Sequence, residues 1–493
     1  MGHLVQQDDD LSGGFMRRFR ALTASLMTLA VALSLITAES LTSASASAHG
    51  RTTVIKVWLA DYPFPGYLDQ RLQLAEEFNQ KYPRYQVEIE AVYHTELPAE
   101  VYRAVQEGNP PDVANYYYNA TQIARDMRAK NGRPLFVSVE QAIGNRKKIL
   151  DEKVVLKDLV PHFASYYEYR GDMMSMPVTA MTSLVYANTT ILDAAGVSQV
   201  PRTWQELERA CAAIAALPDG PQHCVTWPNH NWFFQQAVAQ QGGHLTNNGN
   251  GRYARATRTN LLSREMLEYV TWWQRMHEVG YYQYSGVPED WGSSFEAFVG
   301  QQVAFTFDSA NQGDTFVEFG RQSGFEVAAG ELPYNGQARR HGNVNSGDSL
   351  FLRAGLDRRT QDGALAFMQF VNSPENSAGW HQSSSYLPMN RKSVDLLERA
   401  GWFADHPAPG VALDQIAASR NSPAGLGVVT GAFDAIQNEM VVAMDDVLVR
   451  GANPWWRFKQ ADANAQRLLN TYNRECVGPG LRDAECFRVG MWG

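Results

Sequence analysis

The chain has 493 residues, 44% hydrophobic and 19% charged, with 43 Lys+Arg against 52 Asp+Glu and a formal charge of −9. That composition buries a large core, organised as two big lobes or two to four domains, and excludes wholesale disorder. The acidic balance argues against a nucleic-acid surface, which needs clustered positive charge, and the 39 Gly and 22 Pro exclude collagen-like and low-complexity chains.

The first fifty residues set the compartment. Arg17, Arg18 and Arg20 precede an apolar stretch from Ala21 to Ala38, and Ala46-Ser47-Ala48 follows as a small-residue cleavage site. This is the tripartite pattern of a secretory signal peptide over residues 1–48. Residues 1–15 are polar and acidic, which suits a start at Met16 better than at Met1. An uncleaved membrane anchor is the competing reading. No cysteine precedes Cys211, which argues against a lipoprotein. The expected location is periplasmic or extracellular.

Beyond the leader, Thr53–Leu59 is a β-branched run that reads as a strand, and Leu68–Tyr82 has apolar residues at helical spacing up to Pro83. Gln86–Val92 alternates like a strand, Val101–Gln106 is helical, and Asp112–Tyr116 is a third strand after Gly108-Asn109-Pro110-Pro111. Strand, helix, strand, helix, strand is the grammar of a parallel sheet covered by helices. Strands are predicted again at Ser183–Tyr186, Val303–Phe307 and Ser349–Leu352. Helices are predicted at Thr203–Ala216, Leu262–Val279, Thr360–Val371 and Ala432–Leu448. Thr203 and Glu206 have the spacing of a capping box. The fold class is α/β with more than one sheet.

Four cysteines remain: Cys211, Cys224, Cys476 and Cys486. In an oxidising compartment two local disulfides, Cys211–Cys224 and Cys476–Cys486, are the natural pairing, with buried free thiols as the alternative. Neither pair has the spacing of a zinc or redox site.

Enzyme signals are thin. Gly347-Asp348-Ser349-Leu350 spells an esterase nucleophile block, yet neither later histidine, His381 or His406, has Asp three residues before it. The eleven histidines form no metal motif, and no phosphate loop or dinucleotide loop occurs, so no cofactor and no metal is expected. A secreted hydrolase remains the competing class.

Aromatics fall where strands end: Tyr116-Tyr117-Tyr118-Asn119, Trp227 and Trp232 around Pro228-Asn229-His230-Asn231, Trp291 beside Asp290, and Tyr386 before Leu387-Pro388. Rings beside Asn and Asp suit sugar or polyol recognition, because the ring covers the C–H face and polar groups meet the hydroxyls. Ligands of open α/β sheets bind outside the carboxyl ends of strands.

Four stretches resemble one family. They are Val54–Trp58 with Phe78–Pro83; Gly108–Val113; Met176-Pro177 through Asn188 with Pro201-Arg202-Thr203-Trp204-Gln205-Glu206-Leu207; and Phe367–Asn376 with Trp380-His381-Gln382 and Tyr386-Leu387-Pro388. Together they resemble the maltose-binding-like solute-binding proteins of ABC importers, and among these most of all the glycerol-3-phosphate-binding proteins. The resemblance implies two α/β lobes, 49–178 with 309–375 and 179–308 with 376–493, joined by crossings near Pro177–Thr182, Phe305–Asp308 and Pro374. It also implies a solute held by hinge closure, a permease partner and no enzymatic activity; the chain is expected to be a monomer.

The resemblance places the family's tyrosine on Tyr386, its backbone glycine on Gly347, a serine on Ser309 and the second tryptophan of its W-x-x-W loop on Trp232. Its glutamate falls on Tyr118, another serine near Met181, and its arginine on Val429. Without that arginine a phosphate loses its strongest partner, unless Arg420 or Arg391 replaces it, and Asp348 adds negative charge. A neutral sugar or polyol is therefore favoured over glycerol-3-phosphate. The expected ring platforms are Tyr117, Tyr118 and Trp232. Asp61, Asp308, Ser309, Asp348 and Tyr386 are the expected hydroxyl partners, and Gly347 is expected to let the backbone approach the ligand.

Overall fold

The computed structural model describes residues 51–62, 67–478, 484–487 and 489. The leader and its cleavage site lie outside them. Two sheets carry the fold. The first is built from β1 (Thr53–Asp61), β2 (Tyr85–Tyr93), β3 (Val113–Tyr117), β4 (Phe136–Val137), β5 (Met176–Pro177) and, from far along the chain, Asp348–Arg353. The second takes β6 (Ser183–Asn188), β7 (Val225–Thr226), β8 (Tyr282–Gln283), β9 (Phe305–Ser309) and β10 (Val327–Glu331). With Asp348–Arg353 as β11, the first sheet runs β2-β1-β3-β11-β4, with β5 also on β11, and the second runs β8-β7-β9-β6-β10.

The predicted strand–helix grammar holds at the start. Alternation in β1 buries Ile55, Val57 and Leu59, and β1 pairs parallel with β2 and β3. Helix α1 (Tyr67–Lys81) buries Leu74, Ala75 and Phe78. Helix α2 (Leu97–Glu107) stops at Gly108, whose φ of +88° lets its N–H close on the Ala104 and Val105 carbonyls. A short helix, α3 (Thr121–Asp126), follows β3. Farther on come α4 (Trp204–Ala215), with the Thr203–Glu206 capping box formed, α5 (Asn231–Gln240) and α6 (Arg264–Glu278). Last in the chain are α7 (Phe433–Arg450) and α8 (Pro454–Glu475), packed against one another.

Neither sheet is purely parallel. β11 runs antiparallel to β3, and β6 runs antiparallel to both β9 and β10. This corrects two expected boundaries. Residues 309–375 were expected to join the first lobe from their start, but β10 pairs with β6 along Val327–Glu331, so the chain stays with the second sheet after β9. The helix Gly313–Gln322 between them packs Phe316 on Tyr186, ring centroids 4.5 Å apart, and so closes another strand–helix–strand unit. The return to the first sheet comes at Ser346, bridged to Met181, and Asp348. The helix Pro374–Ser384, expected in the second lobe, packs against α1 and Arg358–Val371 beside the first sheet.

The structure joins Cys211 to Cys224 and Cys476 to Cys486. The first bond ties α4 to the residue before β7. Beside it, four rings stack in a row. Trp204 lies on Trp272 at 4.7 Å and 11°, Trp272 on Trp227 at 5.7 Å and 4°, and Trp227 on Phe307 at 4.7 Å and 13°. Trp227, read from the sequence as a loop aromatic facing a ligand, is therefore a core ring.

Candidate functional site

The carboxyl ends of β1 and β3 and the start of β11 meet at one point. In the β3–β11 ladder Asp348 sits opposite Tyr117. Asp348 is 1% exposed. Its Oδ1 accepts the Tyr62 hydroxyl at 2.6 Å, and its Oδ2 accepts Tyr67 at 2.7 Å and Thr179 at 3.2 Å. Burial pushes its pKa up, while the tyrosine hydroxyls and the nearby Arg71 pull it back down. Burial and the Asp348 charge push both tyrosines well above their ordinary range, so they stay protonated as donors. This corrects the role expected of Asp348: its oxygens are enclosed and already hold three hydroxyls of the protein's own.

Gly347 is corrected likewise. Its carbonyl accepts the Tyr118 N–H at 2.9 Å and the Tyr167 hydroxyl at 2.7 Å. With φ at +146°, a Cβ there would lie 2.0 Å from the Thr179 carbonyl oxygen. Glycine is required for the close passage of two crossing segments, not for approach to a solute. Asp61 ends β1 exposed, and the residue after it, Tyr62, is the one turned inward.

Around Asp348 the rings form a continuous layer. Tyr62 and Tyr67 meet edge to face at 5.0 Å, Tyr117 and Tyr118 at 4.7 Å, and Tyr67 and Tyr386 at 5.8 Å. Trp380 lies under the Arg71 guanidinium at 3.7 Å. Tyr62, Tyr67, Arg71, Tyr166 and Tyr167 were not singled out from the sequence, because nothing local marks residues that converge only through the sheet.

The second sheet faces this layer. Tyr118 reaches across to it: Gln235 on α5 donates to the Tyr118 hydroxyl at 3.1 Å, and Phe433 at the start of α7 packs edge-on at 5.5 Å. Asn119 donates to Asp434 at 2.9 Å. Trp232 opens α5, its backbone N–H capped by His230 Nδ1 at 3.1 Å. It is 3% exposed, and its indole N–H has no hydrogen-bond partner. Among the described residues it joins neither of the two apolar clusters. Ser309 donates to the Met181 sulfur at 3.2 Å. Asp308, also buried, accepts one N–H, that of Ser309, at 2.6 Å, and burial pushes its pKa up to about 7. A cavity of about 450 Å³ opens between the two sides, walled by Ile123 of α3 and by Asn231, Phe433 and Tyr472 among others.

The arginine question is answered locally. Val429, where the resemblance expects that side chain, is buried, and its carbonyl oxygen would be 1.9 Å from a Cβ on Gly251. Arg420 and Arg391 are exposed. The buried arginine beside the loop is Arg252, which spends its N–H groups on the carbonyls of Gly427 (2.8 Å), Leu426 (2.6 Å) and Tyr166 (3.0 Å). Ser349 of the esterase-like block is wholly buried and donates to Ser175 Oγ at 2.6 Å.

The model of the bacterial extracellular solute-binding protein family matches residues 73–410. The sn-glycerol-3-phosphate-binding periplasmic protein UgpB of Escherichia coli K12 is 24% identical over 432 residues, 86% of this chain and 94% of the relative. Two solved structures share the fold. The sugar-binding protein MalE of Xanthomonas citri has a TM-score of 0.69 at 17% identity, covering 86% of this chain and 98% of its own. UgpB from Mycobacterium tuberculosis in complex with glycerophosphocholine has a TM-score of 0.64 at 19% identity, covering 85% and 99%. Two mixed sheets facing each other across a layer of aromatic rings are thus the two lobes of a periplasmic-binding-protein fold, and the chain belongs to the bacterial extracellular solute-binding proteins.

Proposed function

We propose that the chain, exported and freed of residues 1–48 without a lipid anchor, captures a neutral sugar or polyol between its lobes as a monomer. It then presents the closed form to the permease of an ABC importer. The observation that carries this reading is the gathering of aromatic rings where the lobes meet, beside two buried arginines that are already engaged. Tyr117, Tyr118 and Phe433 pack ring on ring where the lobes meet, Trp232 lies three residues before the Gln235 that donates to Tyr118, and the guanidiniums of Arg71 and Arg252 are occupied by a ring and by carbonyls. A phosphate dianion needs an uncommitted bidentate arginine or several backbone N–H groups, whereas a sugar needs ring faces and neutral hydrogen-bonding groups.

Within this reading Trp232 is the principal platform, with Tyr117 and Tyr118 facing it. Ser309, Asp308 and Tyr386 are the hydroxyl partners, and Asp61 is a rim contact. Asp348 acts through Tyr62 and Tyr67. The second reading is a glycerophosphate or its diester, favoured by the glycerol-3-phosphate-binding relative matched along 94% of its length.

Calorimetric titration with maltose, trehalose, sorbitol, glycerol-3-phosphate and glycerophosphocholine separates the two. Binding of a neutral member alone, weakened about 10–100-fold in Trp232→Ala by loss of a stacking face, is the expected outcome. Binding of the phosphorylated members alone overturns the neutral-solute reading. Steady release of a cleaved product would support the hydrolase class instead.

A further inference from the structure

We propose that the C-terminal end of α8 is a clasp that draws the two lobes together before any solute arrives. Two separate contacts carry it. In the first, Asp126 closes α3 on the first lobe and is 2% exposed. It accepts both terminal nitrogens of Arg255, with Nη1 at 2.8 Å, and the Tyr472 hydroxyl at 3.0 Å. Arg255 and Tyr472 belong to the second lobe: Tyr472 lies on α8, and the backbone around Arg255 is bound to α8 through Asn473 on the Ala256 carbonyl and Gln466 on Thr259.

In the second contact the disulfide Cys476–Cys486, one turn beyond Tyr472, ties Cys486, and with it the adjacent Phe487, to the end of α8. Phe487 is fully buried and lies 4.8 Å from the ring of Tyr102 on α2 of the first lobe, and the Val489 N–H points to the Thr95 carbonyl at 3.4 Å. The disulfide keeps Phe487 at high effective concentration near its seat.

Neither contact uses Trp232, Tyr117 or another of the residues proposed to hold the solute, although Tyr472, Cys486 and Val489 also line the cavity of about 450 Å³. Opening the hinge has to pull Arg255 and Tyr472 from a buried carboxylate and expose Phe487 to water. A carboxylate left with Gln122 as its remaining donor, at 3.1 Å, while still enclosed is costly, so opening must also hydrate this seam. The clasp biases the lobes toward closure, and an incoming solute meets only the open fraction of molecules. It rests on the two-lobed fold and not on the identity of the solute.

The test is small-angle X-ray scattering of the solute-free chain from His49, wild type against Phe487→Ala and Asp126→Asn, with far-ultraviolet circular dichroism to show that each is folded. The expected result is a compact wild type and, in each folded variant, an open population raised about tenfold, read as a larger radius of gyration. Removing the Cys476–Cys486 bond by Cys486→Ser with Cys476→Ser should enlarge the radius in the same way. An unchanged radius in folded Phe487→Ala overturns the clasp, as does a wild type already as extended as that variant. Should Asp126→Asn not fold, Phe487→Ala decides alone. No solute enters the measurement, so its failure is separate from any failure of the sugar reading.

Discussion

Two buried aspartates stand where the lobes meet, each at the end of a strand, and their surroundings are opposite. Asp348 on the first lobe holds three hydroxyls and sits near Arg71. Asp308 on the second holds one backbone N–H and titrates near pH 7. The first lobe has already spent its charge on fixing a ring layer in place, and the second has kept a carboxylate and the Trp232 indole N–H in reserve. Burial alone therefore does not tell a structural carboxylate from one available to a ligand; the count of donors around it does.

The contrast is broken most severely by Asp348→Ala. Three hydroxyls lose their acceptor and the buried Arg71 guanidinium loses a nearby opposite charge, and the expected loss is about 3–5 kcal/mol in urea denaturation. A loss below about 1 kcal/mol would mean that the ring layer stands without it. Asp308→Asn should act in the other direction. Its folded pKa lies above its unfolded value of about 4, so its favourable contribution is whole below pH 4 and is lost as pH rises toward 7. Three pH units at 1.36 kcal/mol each set a ceiling of about 4 kcal/mol. Taking about half of that ceiling for relaxation around the carboxylate, Asp308→Asn should gain about 2 kcal/mol at pH 7.5 and almost nothing at pH 4, measured by melting at both. A gain equal at the two pH values would remove the carboxylate from the explanation. The smallest effect expected is that of Tyr62→Phe, about 1 kcal/mol, since Asp348 keeps two other donors and only one hydrogen bond is lost.

Much of the frame was legible in the sequence because alternation and helical spacing are local. β1, β2, β3 and the helices between them follow from residues within a few positions of one another, and the Thr203–Glu206 box formed as its spacing predicts. Strand direction was not legible. The apolar run Ser349–Leu352 reads the same whichever way its neighbour runs, so nothing in it marked β11 as antiparallel, and Val327–Glu331 carries no strand pattern that would have kept β10 with the second lobe. The site was legible in parts. Tyr117, Tyr118, Trp232 and Tyr386 stood out as aromatics at strand ends. The partnership of Tyr62 with Asp348 spans 286 positions and leaves no local trace. At the end of β1 the sequence pointed to Asp61, one residue short of the side chain that turns inward, because period-two alternation sends neighbours to opposite faces.

The row of Trp204, Trp272, Trp227 and Phe307 has a spectroscopic consequence. Indoles held nearly parallel at 4.7 and 5.7 Å couple their electronic transitions, so this stack should give the protein a strong near-ultraviolet circular dichroism signal, a band that vanishes when fixed packing is lost. Every indole in the stack lies on one lobe, beside the Cys211–Cys224 bond. The band therefore reads the integrity of that lobe alone, and a variant that loosens the other half should leave it unaltered.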